Sequence, residues 1–364
     1  MGAEQWFAPL IPQPADSFEA LFERLRERFG AAETAALRSA MEQRRPGGDR
    51  GFYELKNRNP DLSAALTMGY DGDSLPKIAS FLEARRALLR GDVLDAGCEN
   101  GILTMAVARM APAARVTGVD RCRAAVEAAR RLAAACGAAV RFQTNWPERP
   151  VQAVLSVRAL HENFDQSGVP ELETLEESGL RLAGRMRRYA GRLAACADEG
   201  AALLSVERCG ADRVLLGWLL ALGRCGFHLT EHGTISAAEC GRPAQFQGLV
   251  LRRGGEPQQK TIRRFCDLIL PQEPVQTLRG TAAEAYLLRW GDGCRTGFAV
   301  RSPDGLRMGR SGVWMHGDGG RILLFQASAS GCFLQVMDRR ELPAAEDMLR
   351  RSAAQARAAG YRID

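Results

Sequence analysis

From residue 93 onward, short apolar runs alternate with stretches in which apolar residues recur at helical spacing. The runs predict strands at 93–98, 115–120, 139–144, 151–157 and 201–207. The helical stretches between them are 101–110, 122–136, 171–197 and 212–225. Two last runs, at 227–235 and 245–252, are typical of a terminal hairpin. Repeated βα alternation predicts an α/β fold with a seven-stranded, mostly parallel sheet and ligands at the carboxyl ends of its strands.

The chain before this sheet has a helical pattern. Residues 1–15 are rich in proline and read as an arm, after which Ser17 can cap a helix. A second helix is predicted at 31–43 and another from about Leu75. We expect residues 1–90 to form an N-terminal helical cap over the mouth of the pocket.

The pattern changes again after the hairpin. A helix is predicted at 260–270 and a final helix at 343–359. Between them, runs separated by turn signals are expected at 285–290, 295–301, 306–309, 321–326 and 332–337. Met348 and three alanines of the final helix are expected to face the sheet. We therefore divide the chain into residues 1–90, a nucleoside-binding domain at 91–256, and a C-terminal α+β module of antiparallel sheet plus helix at 257–364.

Composition places this protein among globular, cytoplasmic proteins. Its 364 residues are 46% apolar, which is enough to bury sizeable cores. The sequence has neither an apolar run of eighteen residues nor a basic-then-apolar leader, so we expect no membrane partner and no secretion signal. Ten scattered cysteines without a CxxC pair predict reduced thiols and no metal site.

The positive charge does not favour a nucleic-acid partner. The net charge is +6, yet the only lysines are Lys56, Lys77 and Lys260, and the arginines alternate with acids. In the C-terminal module, Arg301 and Arg307 lack the interleaved aromatic residues of a base-stacking surface. We expect this module to serve a structural role or to pair two copies in a homodimer.

One loop carries the clearest chemical signal. The strand that contains Asp95 breaks into a turn with Gly97 and Gly101, and a helix follows at once. The next strand ends on Asp120, an acid placed to accept two ribose hydroxyls, while the N–H groups of the loop face an anionic group. This arrangement predicts a nucleoside ligand.

Asp-Ala-Gly-Cys-Glu-Asn-Gly, the acid Asp120 and the closing hairpin together resemble a class I S-adenosylmethionine-dependent methyltransferase over residues 75–254. The resemblance implies a Rossmann-like methyltransferase sheet, methyltransferase activity and S-adenosylmethionine as cofactor. It implies cofactor contacts from Asp95, Gly97, Cys98, Glu99, Gly101, Asp120, Arg121, Asn145, Trp146 and Ser156. The Gly-x-x-x-Gly spacing differs from the Gly-x-Gly-x-x-Gly fingerprint of nicotinamide enzymes.

Three positions depart from the family's pattern. Glu99 stands where a glycine or another small residue is usual, Asn145 replaces an acid after strand three, and Gln152 replaces an acid that opens strand four. An amide at Asn145 can still bond the adenine edge. Glu99 is the most consequential, because an inward side chain would crowd the loop and place a negative charge near the methionine carboxylate. We expect it to point outward.

The segment after strand four supplies the expected catalytic residue. Leu-His161-Glu, followed by a long helix, is similar to the Leu-His-Asp segment of small-molecule O-methyltransferases, in which the histidine is the base. Histidine titrates in the range that suits general-base work near neutral pH. The alternative is a structural histidine that orients the loop. The residues expected to contact the substrate are Tyr53, Arg158, Glu162 and Asn163.

Three functions are compatible with these features. The first is methyl transfer to an oxygen or nitrogen of a small molecule. The second keeps the cofactor but recruits RNA or protein through residues 257–364, although Ser156–Phe164 lacks the Asn/Asp-Pro-Pro-aromatic signature common in such enzymes. The third is a decayed methyltransferase fold in which Glu99 blocks the cofactor and the domain serves as a binding module.

Overall fold

The computed structural model describes residues 14–43, 50–160, 172–271 and 275–364. It divides into two compact units. The first consists of the described residues of 1–166, 185–210 and 221–256, and the second of those of 167–184, 211–220 and 257–364. Within the described ranges, no helix is long and apolar enough to cross a membrane.

Among the described residues, five α-helices precede the sheet in the first unit. They are α1 (Phe18–Phe29), α2 (Ala31–Glu42), α3 (Arg50–Lys56), α4 (Pro60–Asp71) and α5 (Ser74–Glu83). The Ser17 hydroxyl caps α1 by accepting a hydrogen bond from the N–H of Ala20 at 3.1 Å. The pattern did not predict α3 and α4. Nearly all of α4 is buried, so it lacks the polar face that makes a helix visible in sequence.

The seven-stranded sheet confirms the predicted fold class. Its strands are β1 (Asp92–Ala96), β2 (Arg115–Val119), β3 (Arg141–Gln143), β4 (Val151–Val157), β5 (Ala197–Glu207), β6 (Phe227–Glu239) and β7 (Arg242–Arg253). They lie in the order β3-β2-β1-β4-β5-β7-β6, with β7 antiparallel to both of its neighbours. From β1 the chain passes to β2 and β3 on one side and then returns to β4 on the other side of β1. The strand order therefore reverses beside the end of β1.

Helices connect the parallel strands as the alternating pattern predicts. They are α6 (Ile102–Met110), α7 (Arg123–Ala135), α8 (Leu175–Ala195) and α9 (Arg213–Arg224). Leu94, Val154 and Leu203, in three adjacent strands, are fully buried. A strand that is covered on both faces has a nearly continuous run of apolar residues. For this reason the sequence pattern predicted these strands.

The second unit contains a six-stranded antiparallel sheet and helices. Its elements after residue 256 are α10 (Gln258–Ile269), β8 (Thr277–Arg279), α11 (Gly280–Trp290), β9 (Gly291–Arg301), β10 (Arg307–His316), β11 (Arg321–Ser328), β12 (Gly331–Asp338), α12 (Leu342–Ala358) and β13 (Arg362–Ile363). The strand order is β13-β9-β10-β11-β12-β8, so the predicted meander is confirmed for β9 to β12.

Two details of the predicted C-terminal module are wrong. Residues 285–290 are the second half of α11 rather than a strand, because Ala283 and Leu287 share one buried helical face. In α12 the buried residues are Leu349 and Ala353 together with Ala345, whereas Met348 is 37% exposed. Of the residues predicted to face the sheet, Ala353 is buried as expected, whereas Ala344, Met348 and Ala354 are exposed.

The described N-terminal helices belong to the same compact unit as the seven-stranded sheet. The division into 1–90, 91–256 and 257–364 remains a prediction, and so does a homodimer formed through residues 257–364.

Candidate functional site

A cavity of about 250 Å³ lies in the first unit, where the loops after β1, β2 and β4 meet residues of α2, α3 and α4. The loop residues that line it include Asp95, Gly97, Cys98, Glu99, Asp120, Arg121 and Trp146. The helical residues that line it include Phe52, Tyr53, Lys56, Thr67, Tyr70 and Asp71. Both sets of residues therefore line the same cavity.

The loop after β1 has a conformation that depends on its glycines. Gly97 has φ 84° and Gly101 has φ 75°, a region that L side chains rarely adopt. A Cβ on Gly97 would lie 2.9 Å from the Cβ of Ala159, and one on Gly101 would lie 2.5 Å from Phe142. The absence of side chains at both positions lets the loop turn closely, and at Gly97 it leaves backbone facing the cavity.

Asn100 fixes this loop to the N-terminal helices. It is 2% exposed, and its amide donates to the hydroxyls of Ser63 at 3.0 Å and Thr67 at 2.9 Å, both in α4. The Ser63 hydroxyl in turn donates to the side-chain oxygen of Asn57 at 2.7 Å. Because buried polar groups need such partners, this network determines where α4 lies against the loop.

Asp120, at the end of β2, is held by two backbone donors. Its Oδ2 accepts from the N–H of Glu99 at 3.0 Å, and its Oδ1 accepts from the N–H of Cys122 at 2.8 Å. A carboxylate has about four acceptor sites, so two remain for hydroxyl donors. Burial raises the pKa of Asp120, although both N–H groups oppose that shift.

Asp95 is the more deeply buried acid of the site. It is 3% exposed, and its Oδ2 accepts from the hydroxyl of Thr104 at 2.6 Å. Burial and, to a smaller extent, the nearby Asp120 raise the pKa of Asp95 to about 6 against the effect of the hydrogen bond from Thr104. Within the described ranges no basic side chain forms an ion pair with Asp95. A cationic group in the cavity would therefore bind it favourably.

Glu99 has a neutralising partner in the cavity. Its carboxylate contacts the ammonium group of Lys56, which comes from α3 and whose side chain is 8% exposed. The Glu99 side chain is 25% exposed, and its backbone has φ 47°, in the region that favours glycine. The expectation that Glu99 points outward does not describe this arrangement, because Glu99 lines the cavity with its charge compensated by Lys56.

A chain of alternating charges lies along another part of the cavity wall. The guanidinium of Arg158 contacts Asp71 at 2.7 Å and Glu239 at 3.1 Å, and Arg208 contacts the other oxygen of Glu239 at 2.8 Å. The four residues come from the ends of α4, β4, β5 and β6. The two acids raise the pKa of Arg158 against the effect of its own burial, so this guanidinium is charged at any ordinary pH.

A buried polar cluster lies where β4 and β5 end. Ser156 Oγ donates to Glu207 Oε1 at 2.7 Å and lies 3.1 Å from the hydroxyl of Tyr189. Glu207 Oε2 accepts from the N–H of Leu160 at 3.0 Å. Burial raises the pKa of Glu207 to about 7, and these donors only partly counteract that shift. The cluster determines the path of the backbone as far as residue 160.

Most of the predicted site residues meet at this cavity, but some do not. Tyr53 and Arg158 line it together with the loop residues already named. Gly101 supports the loop from beneath, Ser156 is buried in the polar cluster, and Asn145 is exposed and does not line the cavity. His161, Glu162 and Asn163 lie outside the described residues.

Sequence reasoning missed the charged residues supplied by distant segments. These are Arg50, Lys56, Asp71, Arg192, Arg208 and Glu239. Lys56 did carry a signal, since it is one of three lysines in a chain that otherwise uses arginine. Asp71 and Glu239 gave none, because each stands beside a turn where an acid is ordinarily solvated.

Comparison with known proteins is consistent with this geometry. Residues 93–172 match the family model of a methyltransferase domain. No curated protein sequence is significantly similar to this chain.

Three solved structures are similar to this chain at low sequence identity. An O-methyltransferase family protein from Burkholderia thailandensis is 16% identical over 65% of this chain and 72% of its own, with a TM-score of 0.42. The mitomycin 7-O-methyltransferase MmcR is 18% identical over 67% and 74%, with a TM-score of 0.39. The magnesium protoporphyrin IX methyltransferase of Synechocystis PCC 6803, solved with bound S-adenosylmethionine, is 17% identical over 70% and 98%, with a TM-score of 0.36. Similarities this distant do not identify a substrate.

Proposed function

We propose that this chain, a class I S-adenosylmethionine-dependent methyltransferase by its domain match and its fold, methylates an oxygen or nitrogen of a small molecule in the cavity described above. One observation carries the proposal. The glycine loop and its two acids line the same cavity as aromatic and charged residues of α3 and α4. A small acceptor can therefore lie beside the cofactor in that cavity.

The chemistry of the donor set fits the cofactor. Asp120 retains acceptor sites for the ribose hydroxyls, and Asp95 offers a buried carboxylate to the ammonium group. The close turn at Gly97 leaves room for the methionine portion beside the backbone. Trp146 offers a ring face to the adenine. When bound, S-adenosylmethionine supplies a methyl group activated by the positive sulfonium.

Much of the rate enhancement is proposed to come from position and exclusion of water. A nucleophile aligned with the methyl group gains effective concentration, which contributes roughly 7–11 kcal/mol in well-oriented model reactions. Tyr53 and Phe52 of α3 supply aromatic surface for the acceptor, and Asn100 holds the neighbouring α4 to the loop. The helices thus separate the reacting atoms from bulk water.

An acceptor that arrives protonated needs a base, and we propose His161 for that role from its position in the sequence. It directly follows Leu160, whose N–H is held by Glu207. The proposed step is transfer of the acceptor's proton to the imidazole as the nucleophile attacks.

Kinetics of His161 variants test the catalytic half of the proposal. A panel of phenols and amines would first be screened with S-adenosylmethionine for formation of S-adenosylhomocysteine. With the best phenol, His161→Asn is expected to lower kcat about 10²–10⁴-fold while leaving the affinity for S-adenosylhomocysteine unchanged. His232→Asn is the matched control, because His232 lies in β6 and bonds Gln247. An unchanged kcat in His161→Asn would reject the base, and no turnover of any acceptor would reject the small-molecule proposal.

A further inference from the structure

We infer that the acceptor carries an anionic group, a carboxylate or a phosphate, that binds the guanidinium groups of Arg158 and Arg208. The inference rests on the proposed methyl transfer, because it assigns the acceptor to the same cavity. It concerns the wall formed by the chain of charges Asp71, Arg158, Glu239 and Arg208.

The two signs of charge in this wall differ in accessibility. The side chains of Glu239 and Asp71 are 1% and 9% exposed, whereas those of Arg158 and Arg208 are 22% and 48% exposed. All four residues line the cavity and their formal charges cancel, but the guanidinium groups are the more exposed. A ligand therefore meets mainly the positive groups of this wall.

The buried carboxylates also orient the arginines. Arg158 is held by Asp71 through one terminal nitrogen and by Glu239 through the other. Arg208 contacts Glu239 through its Nε. In the described part of the chain, Glu239 is the partner that Arg208 contacts, so its terminal nitrogens are available to a ligand. A planar guanidinium held in this way is suited to bidentate binding of a carboxylate or phosphate.

The backbone at Arg158 supports a functional rather than a purely structural role. Arg158 has φ 55°, a backbone conformation that is uncommon and unfavourable for a residue other than glycine. The segment is held there by the hydrogen bond from Leu160 N–H to Glu207 and by that from Arg158 N–H to the carbonyl of Val206 at 2.8 Å. Residues held in such conformations cluster at ligand sites.

Titration calorimetry with simple probes tests this inference on the full-length protein. Benzoate, benzamide and inorganic phosphate would be titrated with and without S-adenosylhomocysteine. Benzoate is expected to bind at least tenfold more tightly than benzamide, since one charge-assisted hydrogen bond accounts for such a ratio. Arg208→Gln is expected to weaken benzoate binding by tenfold or more without changing the affinity for benzamide. Arg208→Lys should retain part of the affinity because it keeps the charge.

The controls separate this inference from the methyltransferase proposal. Arg123→Gln, at a residue whose side chain is 86% exposed, should bind every probe as the unsubstituted protein does. The protein could bind S-adenosylhomocysteine but bind benzoate no more tightly than benzamide, or bind neither benzoate nor phosphate. Either result would overturn the anionic acceptor and leave the methyltransferase proposal intact, except where phosphate binds without benzoate. If the unsubstituted protein does not bind S-adenosylhomocysteine, the cofactor proposal itself would be rejected. Phosphate binding without benzoate binding would identify the acceptor's group as a phosphate.

Discussion

The ammonium group of Lys56 in α3 contacts the carboxylate of Glu99 in the loop after β1. Glu99 occupies a backbone conformation that favours glycine, and its charge is compensated by a lysine that is almost fully buried. The pair joins the N-terminal helices to the loop that we propose to hold the cofactor. It therefore answers one of the two objections to cofactor binding that the sequence raised, the negative charge near the methionine carboxylate.

Removing Lys56 should impair both folding and cofactor binding. Lys56→Met leaves the Glu99 carboxylate without its partner, so we expect the free energy of unfolding to fall by about 1.5–3 kcal/mol. The affinity for S-adenosylhomocysteine should fall at least tenfold. Chemical denaturation and titration calorimetry would measure the two effects.

A double variant and a matched lysine provide the controls for that experiment. Lys56→Met combined with Glu99→Gly should recover most of the lost affinity, because no unpaired charge remains. Lys77→Met, which breaks an exposed pair with Asp73 in α5, should change neither quantity appreciably. Should Glu99→Gly alone raise the affinity by orders of magnitude, the protein would instead be a decayed methyltransferase fold.

Gly101 and Gly137 distinguish the cost of backbone conformation from the cost of crowding. Both have positive φ, at 75° and 61°, but a Cβ on Gly101 would lie 2.5 Å from Phe142 while one on Gly137 would meet nothing within 4 Å. Gly137→Ala should therefore lose only about 1–2 kcal/mol of unfolding free energy, from its backbone. Gly101→Ala should lose clearly more, together with affinity for S-adenosylhomocysteine. Equal losses in the two variants would mean that Phe142 moves away freely.

Glu207 makes stability depend on pH in a defined direction. Its pKa is raised by burial to about 7 in the folded chain, so the folded state binds a proton more tightly than the unfolded state. The contribution of the protonated Glu207 carboxyl to the free energy of unfolding is complete below about pH 4.5 and is lost as the pH rises through 7. Relative to Glu207→Gln, the protein should lose up to about 3 kcal/mol between pH 5 and pH 8. Denaturation of both proteins at several pH values would test this, and parallel curves would contradict it.

Much of the fold was predictable because its signals are local. The strands β1, β2, β4 and β5 contain buried apolar runs, and the helices between the strands have amphipathic spacing. Asp95 and Asp120 were predictable for the same reason, since each ends a strand whose position the pattern indicates. The α4 helix was not predictable, because burial on most sides leaves it without a polar face.

The charge partners in the cavity could not be predicted from one sequence. Lys56 meets Glu99, and Glu239 meets Arg158, only after the sheet and the N-terminal helices have assembled. No residue spacing indicates such long-range pairs. The orientation of Glu99 was uncertain in the sequence for this reason, because its direction depends on a lysine in another helix.

The most direct test of the account is titration calorimetry of the full-length protein with S-adenosylhomocysteine. We expect one site with micromolar affinity. Asp120→Asn should lower that affinity at least tenfold, because the amide keeps one acceptor oxygen where the carboxylate has two. Absence of binding at millimolar ligand, or an affinity that Asp120→Asn leaves unchanged, would contradict a cofactor site built on the loop after β1 and the acid after β2.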